Sequence, residues 1–89
     1  MRKEEVLEKL VDAVVNGDPE TTKKMSEEIV KSGAHASEVI EQYLSPAMKL
    51  VGQKFEKGEF FLTNLMLSAE AMKSSVKILT AGLGGEAQT

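Results

Sequence analysis

The sequence predicts an all-α fold, a small antiparallel four-helix bundle. Three observations carry that reading. Apolar residues recur at steps of three and four along most of the chain, the spacing that gathers side chains on one face of a helix. Glycine and Asp-Pro signals punctuate those runs at intervals suited to short helices. Ala, Leu, Val, Met, Glu and Lys dominate, and no segment alternates apolar and polar residues as a half-buried strand does.

The first helix carries Leu7, Leu10, Val11, Val14 and Val15 on one face and Lys3, Glu4, Glu5, Glu8, Lys9 and Asp12 on the other. It ends at Asn16-Gly17, where glycine takes a left-handed cap without steric penalty. Asp18-Pro19-Glu20 restarts a helix. Asp18 is the N-cap, Pro19 the first helical residue, and Glu20 complements the positive end of the dipole. Thr22, Met25, Ile29 and Val30 line its inner face, and Ser32-Gly33 ends it. A link of two or three residues makes the first two helices antiparallel neighbours.

The third region opens at His35-Ala36-Ser37-Glu38, with Ser37 or a residue just before it as cap. Val39, Ile40, Tyr43 and Leu44 follow on one face, and the pattern resumes at Met48, Val51 and Phe55. Pro46 lies between. It lacks an N–H and clashes with the preceding turn, so two pieces joined by a kink or tight break near Ser45-Pro46 are expected, giving five helical segments. In the last helix Leu62, Leu65, Ala69, Met72, Val76 and Leu79 form a coiled-coil-like seam, capped by Thr63 or Thr63-Asn64. Residues 1–80 read as one helical domain. Residues 81–89, rich in glycine, read as a flexible tail or linker.

Eighty-nine residues allow one domain. The absence of cysteine excludes a disulfide scaffold, a thiolate nucleophile and a Cys-based zinc site, and fits a reducing cytoplasm. A net charge of −3, evenly mixed, argues against nucleic acid as a partner. Apolar stretches of a few residues span no membrane, and the charged start Met1-Arg2-Lys3-Glu4-Glu5 is no signal peptide.

Catalysis by this chain alone is not expected. His35 is the only histidine; it stands in a short link with no carboxylate at ligand spacing, so no metal site is predicted. Glu27-Glu28 and Glu56/Glu59 read as solubility and helix pairing rather than an acid–base dyad. Ser26, Ser45 and Ser68 have no base beside them, and Gly82-Leu83-Gly84-Gly85 follows a helix, the wrong context for a phosphate loop.

The run Gly52–Leu65 holds more apolar side chain than a helix junction needs. Gly58 ends a helix just after Phe55, which places Phe55 near the bundle's rim. Phe60, Phe61 and Leu62 are consecutive and cannot all face one core. Core packing accounts for Phe60 or Phe61. The remainder suggests an apolar lid over a flat ligand or a partner surface.

The pattern Gly-x-x-Phe-x-x-Gly-x-x-Phe-Leu-x-x-Leu-x-x-x-Ala-x-x-Met, from Gly52 to Met72, resembles the helical cap domain of methyl-corrinoid proteins. These include the cobalamin-binding region of methionine synthase and the corrinoid carriers of methanol and methylamine methyltransferase systems. The runs Glu41–Gly52 and Ala13–Asp18 resemble it too, so the likeness covers about residues 3–80. It implies a bundle over the upper face of the corrin, with Phe55, Leu62 and Leu65 shielding a cobalt-bound methyl group. Cobalamin is the implied cofactor, and methyltransferase subunits are the implied partners. A Trp in place of Phe55 and Glu-His in place of Leu65-Met66 mark the related light-sensing adenosylcobalamin regulators; this chain has neither.

One departure is large. The family's second half is a Rossmann-like cobalamin-binding domain whose Asp-x-His-x-x-Gly histidine takes cobalt's lower position. Nothing here matches it, so either an excised domain or a stand-alone cap is expected, and the glycine-rich end, which reads as an interdomain linker toward that absent domain, favours the excised one. Weak or no cobalamin binding by the isolated chain is expected with it. Two other readings compete: a non-catalytic interaction module that docks or homodimerises through Phe60 and Phe61, and a phosphotransfer bundle using His35, which its loop location disfavours.

Overall fold

The computed structural model describes residues 2–81, and their regular structure is entirely helical. Helix α1 (Lys3–Asn16) buries Val6, Leu7, Leu10, Ala13, Val14 and Val15. It ends as its sequence requires: Gly17 adopts φ 68°, its N–H donates to the Val14 carbonyl, and the Asp18 N–H reaches back to Ala13 at 2.8 Å. This paired arrangement satisfies two carbonyls that a bare helix end leaves open.

Asp18 also starts α2 (Pro19–Lys31). Its carboxylate accepts from the Thr21 N–H at 3.3 Å and from the Thr21 hydroxyl at 2.8 Å. One residue thus closes one helix and opens the next, which folds α2 back along α1. Thr22, Met25 and Ile29 are buried on the expected face, together with Ser26.

The third region departs from expectation. Helix α3 (Ala36–Val39), a π turn (Ile40–Leu44) and α4 (Ser45–Glu56) follow one another without interruption, so no break occurs at Pro46. The widened turn explains this. The Ser45 N–H donates to the Ile40 carbonyl, five residues back, so the turn meeting the proline ring is already opened. Pro46 itself sits in the first turn of α4, where its missing N–H is tolerated. Ser37 lies inside α3 rather than at its cap. His35 occupies the cap position and makes no side-chain bond there.

Helix α4 ends at Gly58 (φ 81°) with the same paired bonds seen at α1: Gly58 N–H to Phe55 O and Glu59 N–H to Lys54 O. Helix α5 (Leu62–Ala81) then crosses the bundle. Its cap is neither Thr63 nor a Thr63-Asn64 pair. Asn64, three residues past Phe61, turns back and accepts the Phe61 N–H at 2.9 Å, the reciprocal half of a capping box.

Helices α1, α2 and α5 pack on one another, and α4 covers α1 and α5. Leu10, Val14, Ile29, Leu44 and Val51 fill the centre. The expected seam of α5 is borne out in part: Leu79 is buried and Leu65, Met72 and Val76 pack against the core, but the most deeply buried positions include small residues that the seam left out. Ser68, Ala71, Ser75 and Leu79 are buried, whereas Leu62 and Ala69 face outward. Small residues win because they let α5 approach closely. The Ser75 and Ser26 hydroxyls bond across α2–α5 at 2.7 Å, and the Ser68 hydroxyl donates to the Val15 carbonyl at 2.8 Å. The tail expected from residue 81 onward falls, for residues 82–89, outside the described residues.

Candidate functional site

The α4–α5 junction concentrates exposed apolar side chains at one end of the bundle. Phe55 stands one turn beyond the buried Val51, but the helix stops at Gly58 before another element covers it, so its ring stays 43% exposed. Leu62 opens α5 and is 63% exposed. Met66, four residues on and therefore on the same helical face, is 61% exposed. Phe61 is the most open, at 73%.

Of the three residues expected to shield a ligand, Phe55 and Leu62 are exposed. Leu65 is half-buried and packs against the core. The choice between Phe60 and Phe61 as core resolves to Phe60, half-buried against the core, while Phe61 points away from it. Met66 was not singled out by sequence reasoning. Its spacing from Leu62, the one signal available, places both on the same outward stripe.

Lys54 holds the junction. Its carbonyl accepts the N–H groups of Glu59 and Phe60 at 2.9 and 3.1 Å. Its ammonium bonds the Glu59 carboxylate at 3.4 Å and lies 5.5 Å from the centre of the Phe60 ring. Backbone and side chain of one residue thereby fix the link between α4 and α5, and with it where Phe55 stands relative to Leu62.

Among the described residues, the histidine is not brought together with the buried serines. His35 is exposed at the start of α3, and the buried Ser26, Ser68 and Ser75 spend their hydroxyls on structural bonds. Among the described residues no three His, Asp or Glu side chains converge as a metal site would require. An open groove of about 480 Å³ between α2 and α5, lined by Pro19, Lys23, Ser74, Lys77 and Ile78, lies toward the other end of α5. No buried polar group converges on it. The apolar end gathers exposed Phe55, Phe61, Leu62 and Met66, and it is the better candidate.

Residues 6–80 match the family described as the B12 binding domain. The chain belongs to that family. Known relatives of this B12 binding domain include monomethylamine corrinoid protein 1 of Methanosarcina mazei, 39% identical over 83 residues, which are 93% of this chain and 38% of the relative. The trimethylamine corrinoid protein of Methanosarcina barkeri is 36% identical over 78 residues, 88% of this chain and 36% of the relative. The solved structure of the Methanosarcina barkeri monomethylamine corrinoid protein superimposes with a TM-score of 0.82 at 38% identity, covering 92% of this chain and 39% of that one. The chain therefore spans little more than a third of the length of these relatives. Family, fold and cofactor class agree with what the Gly52–Met72 pattern implied, and they favour the corrinoid reading over a generic interaction module. No helix among the described residues is long and apolar enough to cross a membrane.

Proposed function

We propose that this domain is the cap of a corrinoid methyl carrier, laid over the upper face of the cofactor by its α4–α5 end. The observation that carries the reading is the exposure of Phe55, Leu62 and Met66 at that end, in a chain whose other large apolar residues are mostly buried. The residues fit a corrin's upper face: they are apolar, exposed and free of strong ligating groups. They do not supply a lower ligand, since the only histidine lies at the start of α3.

When bound, the corrinoid supplies the methyl-transfer chemistry. The chain's own contribution is exclusion and access. Phe55, Leu62 and Met66 carry no strong donor or acceptor, so water held against them gains little and is displaced. Leu65, packed on the core beneath, fixes the start of α5. The Lys54 link keeps α4 and α5 together, so the cover moves aside as one body when a methyltransferase needs access. The partners in this reading are a Rossmann-like cobalamin-holding domain and methyltransferase subunits. The chain itself is non-catalytic and works in the cytoplasm.

The test joins the full chain to the Methanosarcina barkeri monomethylamine corrinoid protein in place of the region it matches, and loads the hybrid with methylcobalamin. Photolysis and aerobic decay are followed by absorbance. Phe55→Ala and Leu62→Ala should each accelerate decay while leaving the fold intact by circular dichroism. Decay as slow as in the unmutated hybrid would remove the shielding role.

A further inference from the structure

Gly52 lies in the interior of α4 with ordinary helical backbone, so no positive φ calls for glycine there. Glycine at such a place weakens a helix relative to alanine. Steric crowding is the usual compensation, and it is visible elsewhere in the chain: a Cβ on Gly17 would come within 2.6 Å of Leu67. A Cβ on Gly52 would meet nothing within 4 Å. Neither backbone conformation nor packing within the described residues accounts for glycine at this position.

The surroundings give the notch a direction. Met48 and Phe55 lie four residues before and three after Gly52, the spacings that put them on the same side of the helix. Met48 is half-buried against the core and Phe55 is 43% exposed. Gly52 therefore forms a bare strip of backbone running from the core boundary to the exposed ring. A side chain here would stand between α4 and anything lying flat against Phe55.

We propose that Gly52 is a positioning residue for the corrinoid, a gap that lets the edge of the macrocycle reach the backbone of α4 beside Phe55. The inference rests on the cap reading and adds to it. Phe55, Leu62 and Met66 cover the ring from above, and Gly52 sets how closely α4 settles onto it. Any larger residue lifts the helix and with it the cover.

The test compares Gly52→Ala and Gly52→Leu in two settings, with Lys24→Leu on the exposed face of α2 as the control for an added surface leucine. In the 89-residue chain alone, Gly52→Ala should raise the thermal midpoint by about 4 °C, as removal of a helix-interior glycine does in a domain of this size. Gly52→Leu should not lower it. In the hybrid, Gly52→Leu should weaken methylcobalamin binding by about tenfold, as overpacking at a close contact does, and should speed photolysis; Gly52→Ala should act in the same direction, less strongly. Lys24→Leu should leave both unchanged.

Failure of the unmutated hybrid to retain and shield methylcobalamin would overturn the cap reading itself. Retention by the unmutated hybrid together with unchanged binding in Gly52→Leu would overturn the role of Gly52 alone. Loss of stability in the isolated chain would show an internal packing role and overturn it. Loss of stability in the cobalamin-free hybrid would show that polypeptide fills the notch, which also overturns it.

Discussion

Replacing Gly17 with alanine separates two effects that glycine usually combines. The residue holds φ 68°, and a left-handed conformation costs a non-glycine residue about 1–2 kcal/mol. An alanine Cβ would also sit 2.6 Å from the Leu67 Cβ and 3.2 Å from the Leu67 carbonyl carbon, contacts that require α5 to move away from the end of α1. Overpacking of that kind adds about 1–3 kcal/mol. The sum, about 2–5 kcal/mol, is a large share of what a domain of this length possesses. Gly33 and Gly58 serve as internal controls. They hold φ 79° and 81°, yet a Cβ on either meets nothing within 4 Å. Gly33→Ala and Gly58→Ala should therefore lose only the conformational part, about 1–2 kcal/mol. Urea titration followed by helical circular dichroism gives all three values. Leu67→Ala should not rescue Gly17→Ala, because the clashing atom is the Cβ that alanine retains. Equal losses at the three glycines would refute the close approach of α1 to α5 as the reason for Gly17.

Ser26→Ala should destabilise the fold by about 1–2 kcal/mol in urea titrations, because it leaves the buried Ser75 hydroxyl unpaired, and adding Ser75→Ala should cost little more. Leu10→Ala, at a fully buried site, should cost about 2–5 kcal/mol, whereas Phe61→Ser, 73% exposed, should stay within about 0.5 kcal/mol. Asp18 is held below its ordinary value of 3.8, first by the Thr21 hydroxyl and then by the Thr21 N–H. Folding thus favours its ionised form. That contribution is full well above 3.8 and is lost as pH falls through the lower folded-state value. The stability difference between the natural chain and Asp18→Asn should shrink on acidification, and a difference independent of pH would refute the cap.

The ends of α1 and α4 and the start of α2 were legible because their signals are local. Gly17, Asp18-Pro19 and Gly58 each act within a few residues, and each does in the structure what its chemistry dictates. The π turn was not legible, because the usual rule for Pro46 assumes a regular turn before it, and nothing local marks the wider one. The inner face of α5 was read correctly at Leu65, Met72, Val76 and Leu79 and misread at Leu62 and Ala69 for a different reason. Periodicity weights large apolar residues, but the neighbouring helices leave room at Ser68, Ala71 and Ser75 for small ones, and the Ser68 and Ser75 hydroxyls find their partners across helices, on α1 and α2. The same misreading bears on the site. Leu62, assigned both to the seam and to the lid, lies outside the seam and is 63% exposed. Leu65 was placed correctly in the seam and packs against the core.

Helix α5 divides its duties along its length. From Ser68 to Leu79 every third or fourth residue is buried in the bundle, while Leu62 and Met66 on the first two turns stay 63% and 61% exposed. Mutations accumulate at different rates under those two regimes. The inner stretch is confined to small residues by its neighbours, but the outer turns can change size and shape without unfolding the chain. A lineage can therefore reshape this surface, through two or three substitutions at the tip, on a scaffold that need not be rebuilt.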